Sequence, residues 1–468
     1  MIAHDEIKGL VAELSLREDV IEKDYIIGWV LWGIGSDDEL GRTWVFKGGT
    51  CLKKCYLETY RFSEDLDFTV LPGGLITPDA VQPLIERVLT RINEASGIDF
   101  SIQAPRLRSR PNPATSEGRV YYRGPRNSPS IASLKLDLSA DEKVIRPPVL
   151  RPIGHPYSDD LPPPAHVRCY SFEELFAEKI RALAERTRPR DLYDVINLYR
   201  RPDLQAAPTL IRSVLSEKCA VKGIPVPTHR SIQDSPYRGE LESEWSNMLG
   251  HQLPALPPLQ QFAEELGGLF DWLEGKAVPV QLAPVPLEKN ETARWTPPPA
   301  AWTLGAGVPL ETIRFAAANH LCIEIVYRNE QGQVASRVLE PYALRQTREG
   351  NLLLHAVRSD SRVSRTYRID RIQQVRVTTK PFRPIYQIEF TAMGPINAPL
   401  GGGRGFRSSS PTRIKSMSAP GIVYVYQCSS CFKQFKRSAQ SSTLRVHKNS
   451  FGAPCSGRSG FLINTLYK

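Results

Sequence analysis

A chain of 468 residues has room for about two to four domains, and 41% hydrophobic with 24% charged residues is the balance of a folded globular protein, not of a disordered one. No apolar run reaches the ~18–20 residues of a membrane span and no signal-peptide pattern opens the chain, so a cytoplasmic protein is expected. The net charge of +10 is unevenly spread: beyond Glu389 there is no Asp or Glu but 11 Lys or Arg, leaving 49 bases against 50 acids before that point. Such a tail favours a polyanionic partner, nucleic acid first.

Helical apolar spacing predicts helices over 18–34 and 79–95, while Trp44-Val45-Phe46 and Leu66 to Val70 read as strands. Ser133 to Ser139 alternates, with Leu134, Leu136 and Leu138 on one side and Lys135, Asp137 and Ser139 on the other. Ser171 and Glu174 form a capping box for a helix running to about Arg186, and the pattern stays mainly helical to about 275. A Pro-rich interval, 276–303, then leads into a strand-rich block, 304–390. A Gly/Ser/Pro stretch, 391–420, reads as a flexible linker before a last block, 421–468.

Two segments of the first block carry chemistry. In Phe46-Lys47-Gly48-Gly49-Thr50, two glycines between a strand and a helix let backbone N–H groups approach a phosphate. In Arg61-Phe62-Ser63-Glu64-Asp65-Leu66-Asp67-Phe68, Asp65 and Asp67 share one face of a strand while Leu66 and Phe68 face the core. Paired carboxylates hold magnesium and leave coordination positions open for substrate phosphates, and Asp137 is the natural third carboxylate on a neighbouring strand. Lys179 falls within the apolar stripe of the Ser171 helix, placed either to snorkel at its margin or to meet nucleotide phosphates in a cleft. Asp191 and Asp194 share a helical face, where they would cap the helix, orient Lys179, bind nucleotide hydroxyls or act as a base.

The turn and the D-x-D strand together resemble the nucleotidyltransferase signature, and more narrowly the AbiEii family of nucleotidyltransferase toxins. The resemblance rests on Gly48-Gly49-Thr50, Arg61-x-Ser63-x-Asp65-Leu66-Asp67-Phe68, Lys135-Leu136-Asp137, Glu178-Lys179 and Arg190-Asp191-x-x-Asp194, with Glu22-Lys23-Asp24-Tyr25 similar to the family's N-terminal helix. It implies an α/β (α+β) nucleotidyltransferase fold with a helical C-terminal part over residues 1–275. With it come magnesium on Asp65 and Asp67, and Asp137, Lys179 and Asp191 as further catalytic groups. A nucleoside triphosphate substrate would be held by Gly48, Gly49, Thr50, Lys135, Lys179 and Asp194. The implied reaction transfers a nucleoside monophosphate to RNA, particularly the transfer-RNA 3′ end, and blocks translation within a toxin–antitoxin or phage-defence system that has a cognate antitoxin.

Cys322 to Tyr327 and Leu352 to Val357 alternate in strand fashion, and Arg337, Arg365, Arg368 and Arg371 lie between and after them. The block resembles a WYL domain through Ile325-Val326-Tyr327-Arg328, Ser336 to Pro341 and Tyr367 to Ile372, although Leu352-Leu353-Leu354 replaces the Trp-Tyr-Leu triplet. A small β-rich domain is implied, with Arg337, Arg368 and Arg371 as the expected contacts of a regulatory nucleotide or nucleic-acid ligand. In the last block, Cys428-x2-Cys431 followed by His447 and Cys455, with 15 and 7 residues intervening, suits a tetrahedral structural zinc. Tyr424, Tyr426, Phe432, Phe435 and Phe451 would pack around it. Lys433, Lys436, Arg437, Arg445 and Lys448 would form a basic face for RNA or DNA. The alternative is a regulator that senses nucleotide without turnover, or a transferase with a protein acceptor.

Overall fold

The computed structural model describes residues 1–14, 16–57, 61–201, 207–277, 282–286, 288, 290, 291 and 310–390, and in the tail 422–428, 431, 433–437, 443, 444, 447, 448, 454, 455, 457 and 460–467. Two compact units divide the chain, residues 1–400 and 401–468.

The first unit begins with α1 (His4–Leu14), α2 (Glu18–Gly35) and the short α3 (Leu40–Thr43), which lead into β1 (Trp44–Lys47). A four-residue helix α4 (Gly48–Cys51) runs on into a π-helical turn, Leu52–Tyr56. Next come β2 (Asp65–Val70), α5 (Pro78–Ser96), β3 (Arg106–Ser109), β4 (Thr115–Tyr122), β5 (Ala132–Ser139), β6 (Val149–Pro152) and β7 (His166–Cys169). These strands form one mixed sheet in the order β3-β4-β5-β2-β1-β7-β6. β2 is antiparallel to β1 and parallel to β5, so the two aspartate-bearing strands are direct neighbours. Leucines 134, 136 and 138 are buried and the residues between them are partly exposed, as the alternation requires.

Helices follow: α6 (Phe172–Arg186), α7 (Pro189–Tyr199), α8 (Pro208–Lys222), α9 (His229–Gln233), α10 (Arg238–Leu249) and α11 (Leu259–Leu273). The capping box expected at Ser171 forms by half. The Ser171 hydroxyl accepts the Glu174 N–H, but the Glu174 carboxylate turns away to accept the N–H groups of Ile145 and Arg146 and to pair with Lys218 at 2.7 Å. A buried carboxylate takes the larger set of donors.

The strand-rich block is α12 (Leu310–Ala318) with a five-stranded antiparallel sheet built from β8 (Leu321–Arg328), β9 (Val334–Gln346), β10 (Leu352–Arg358), β11 (Ser364–Arg368) and β12 (Ile372–Pro381), in the order β11-β10-β9-β8-β12. Within 276–303, read as a linker, Lys276 and Ala277 bond back to Asp271 of α11, while Ala283, Val285, Glu288 and Glu291 lie against this sheet. The Gln387 N–H donates to the Ala283 carbonyl, the Arg348 N–H donates to the Asn290 carbonyl, and Val285 is buried. Leu310, Ile313, Phe315 and Leu354 belong to the same apolar cluster as the core of the nucleotidyltransferase-like part.

In the second unit β13 (Ile422–Cys428) pairs with β14 (Gln434–Arg437) and β17 (Gly460–Tyr467), while β15 (His447–Lys448) pairs with β16 (Pro454–Cys455). The interval 391–420 lies outside the described residues, as do Phe432, Arg445 and Phe451.

Candidate active site and metal centre

Register brings the carboxylates together. Asp67 stands opposite Asp137 across β2–β5, Asp137 opposite Glu117 across β5–β4, and Lys47 opposite Asp67 across β1–β2. Asp65 and Asp67 are partly exposed on the same face while Leu66 and Phe68 are buried behind them. Burial, with the charges of Asp65 and Asp137 adding to it and Lys47 opposing, pushes Asp67 up to about 6. Asp137 is held by Arg110 at 2.5 Å and Lys135 at 2.5 Å, so Lys135 reaches across to the carboxylate cluster. Three carboxylates gathered on one face in this way suit a divalent metal.

The glycine turn lies against this cluster. Gly48 has φ +80°, and a Cβ there would sit 2.4 Å from the Asp67 Oδ2, so only glycine allows the approach. A Cβ on Gly49 would meet the Arg61 guanidinium at 2.4 Å. The Thr50 hydroxyl donates to the Asp65 carbonyl at 2.6 Å, tying the turn to the aspartate strand. Thr50 is buried in doing so and acts here on the backbone.

Lys179, Asp191 and Asp194 form a buried network behind the turn. The Lys179 Nζ lies 2.7 Å from Asp194 and 3.8 Å from Asp191. Arg61 grips Asp194 with two N–H groups at 2.6 and 2.8 Å and gives a third to Gln252. Arg186 holds Asp191 in the same two-pronged way, at 2.7 and 2.9 Å. Burial works to raise Asp194, but Arg61 and Lys179 outweigh it and hold the carboxyl well below the usual range. Both aspartates are fully buried, so they position cations from behind.

Several groups here went unassigned in the sequence. Lys47 is buried, donates to Ser139 at 3.2 Å and pairs with Glu142. Glu178, beside Lys179, sits at about 2 because Lys47, Lys218 and Arg181 outweigh its burial. Arg61 stands in the Arg-x-Ser-x-Asp motif but without an assigned role, and Lys47 only adjoins the motif glycines. Arg110 lies 27 residues from Asp137 and shows only through the β3–β4 hairpin.

In the second unit the ligand atoms of Cys428, Cys431, His447 and Cys455 all lie within 4.8 Å of one another. Sγ of Cys428 is 3.8 Å from Sγ of Cys455, and Sγ of Cys431 is 3.3 Å from Nε2 of His447. β15 and β16 pair His447 directly with Cys455, which explains how the wide spacing closes. The Phe435 ring packs edge-on against His447 and Tyr426 is buried. Three thiols and one imidazole fit zinc.

On the five-stranded sheet, Arg368 and Arg371 line a cavity with Glu288, Tyr327, Glu330, Leu353 and Thr366, and Arg337 is not among its lining residues. Arg368 pairs with Asp370 at 2.7 Å and Arg371 with Glu330 at 3.0 Å. Among the described residues no helix is long and apolar enough to cross a membrane.

Residues 309–377 match the WYL domain. No curated protein matches the chain. Among solved structures, MenT4, a nucleotidyltransferase toxin from Mycobacterium tuberculosis H37Rv, is similar at 18% identity with a TM-score of 0.41, over 58% of this chain and 90% of that one. The proteasome accessory factor B/C of Arthrobacter aurescens is similar at 15% identity with a TM-score of 0.16, over 40% of this chain and 24% of that one. Residues 29–270, more than half of the chain, match the nucleotidyl transferase AbiEii toxin of type IV toxin–antitoxin systems and contain the glycine turn, all three clustered aspartates and the Lys179 network; the chain belongs to the AbiEii family.

Proposed function

We propose that the chain transfers a nucleoside monophosphate from a nucleoside triphosphate to an RNA acceptor, the transfer-RNA 3′ end first, and so blocks translation as the toxin of a toxin–antitoxin pair. The observation that carries the reading is the meeting of Asp65, Asp67 and Asp137 on one face beside the glycine turn. Asp65 and Asp67 would hold magnesium, which neutralises phosphate charge and polarises the α-phosphate. The Gly48–Gly49 backbone borders the phosphates, with Lys179 and Lys47 supplying positive charge behind it. The acceptor hydroxyl attacks the α-phosphorus, the bond to the β-phosphate oxygen breaks, pyrophosphate leaves, and the hydroxyl proton passes to a carboxylate of the cluster. Zinc on Cys428, Cys431, His447 and Cys455 would hold the small second unit together, since so short a segment has little core of its own. Its basic residues give nucleic acid a second contact, and the WYL cavity at Arg368 and Arg371 is the regulatory port.

The test incubates the full chain with magnesium, a transfer-RNA pool and each of four α-labelled nucleoside triphosphates, beside an Asp65→Ala/Asp67→Ala control. Label on RNA that needs both aspartates is the expected result. Label on protein would keep the chemistry and replace the acceptor. Nucleotide binding without label would assign the chain to the sensing regulators.

A further inference from the structure

The seven-stranded sheet carries two like-charge rows side by side. One runs Asp67, Asp137, Glu117 across β2, β5 and β4 and is the carboxylate cluster. The other starts at Asp65 and runs outward as Lys135, Arg119, Arg106 across β5, β4 and β3, each residue directly opposite the next. Directly opposed like charges weaken a sheet, so three cations in one row need a reason. Within the first row the strain is relieved internally: Arg108 and Arg110 pair with Glu117, and Arg110 and Lys135 pair with Asp137. In the second row only Lys135 has such a partner. Among the described residues neither Arg106 nor Arg119 has an ion pair; Arg119 donates to the Ser133 hydroxyl at 3.3 Å, and Arg106 lies 5.8 Å from the Tyr121 ring on the same face. Both arginines are exposed. Keeping an open edge strand from pairing with other chains accounts for arginines on β3, but Arg119 and Lys135 stand on strands paired on both sides.

We infer that Arg106 and Arg119, continuing from Lys135, form the track along which the acceptor's phosphate backbone enters, with its 3′ end arriving at Asp65 and Tyr121 offering a ring for a base to stack on. At ~4.8 Å per strand the row extends about 14 Å from Asp65, long enough for more than one phosphate. The chemistry is that of single-stranded nucleic acid: guanidinium groups in a line, without an ion pair among the described residues, beside an aromatic ring. An acidic protein segment would meet the same charge but has no use for the line's direction into the metal-binding carboxylates. The inference rests on the RNA-acceptor reading above and adds the residues that would select the acceptor.

The experiment compares the full chain with its Arg106→Gln/Arg119→Gln and Arg106→Lys/Arg119→Lys variants, using α-labelled nucleoside triphosphate and a transfer-RNA pool over a range of salt. Expected for the glutamine pair is a roughly tenfold rise in KM for RNA, with kcat and KM for the triphosphate within about twofold of the parent. The salt slope of RNA binding in chelator should fall by about 1.4, at ~0.7 for each single-strand phosphate that the variant no longer neutralises. The lysine pair should restore most of both. RNA labelled equally well by parent and glutamine pair, or a rise in the triphosphate KM instead, overturns the inference and leaves the proposed function standing. A parent that labels protein or nothing removes the proposed function and the track together. Both sites are exposed, and melting curves check the fold; should the pair unfold, Arg106→Gln alone on the edge strand carries the same measurements.

Discussion

A Cβ on Gly48 would lie 2.4 Å from the Asp67 Oδ2, in a backbone already at φ +80°. Two costs therefore fall on Gly48→Ala: left-handed strain of about 1–2 kcal/mol, and displacement of a carboxylate assigned to the metal in the proposed function. Gly73 shares the positive φ, at +86°, with nothing within 4 Å of its Cβ position. Gly73→Ala should lower the melting temperature by a similar amount with transfer intact, whereas Gly48→Ala should abolish transfer. Equal activities in the two variants would separate the glycine turn from catalysis.

Asp67 sits at about 6, above the ordinary carboxylate value near 4, because burial and the neighbouring Asp65 and Asp137 oppose its charge. A raised acid binds its proton more tightly in the native state than in the unfolded one. In chelator, its contribution to stability is therefore full below about pH 4 and is lost as pH rises through about 6. At the proposed magnesium site only the charged form would bind the ion, so metal affinity and transfer rate should fall as pH drops below about 6. Calorimetric titration of magnesium at pH 5 and pH 7.5 reads this directly; Asp67→Asn should flatten the difference.

Asp194 is fully buried between Arg61 and Lys179, at 2.6 and 2.7 Å. Replacing it by alanine strands two cations away from water, at a cost of about 3–5 kcal/mol. Chemical denaturation of Asp194→Ala should show that loss, with transfer falling as a consequence. Unchanged stability with lost nucleotide affinity would instead make Asp194 a direct nucleotide ligand.

Metal analysis of the purified chain should give one zinc ion that disappears in Cys431→Ala and in His447→Ala. Chelation should melt the paired strands of 422–467 while the cooperative transition of residues 1–400 stays in place. A full complement of zinc in either variant would contradict the ligand set.

Much of this is legible in the sequence because it depends on local period and spacing. The i, i+2 placement of Asp65 and Asp67, the leucine row around Asp137 and the helix from Phe172 to Arg186 follow from strand and helix geometry alone. The roles of Arg61, Lys47 and Arg110 do not follow, because their partners are 133, 95 and 27 residues away and only the tertiary fold brings them close. Asp191 and Asp194 share a helical face as their spacing says, but spacing cannot tell that the face points inward to three cations. Glu174 shows the same limit: the capping rule is local, and the backbone at Ile145 and Arg146 overrides it.

Every residue of α12 from Leu310 to Ala317 is buried, and Asn319 just beyond it accepts at its carbonyl from Gln261 and sets its amide beside the Tyr193 hydroxyl, next to Asp194. A helix enclosed on all sides cannot be peeled off without opening a wound in what it leaves. The WYL region has thus given up the interchangeability of a cassette. A swap for a foreign WYL domain would have to bring its own α12 surface to fit α1 and its own Asn319 to reach α7 and α11.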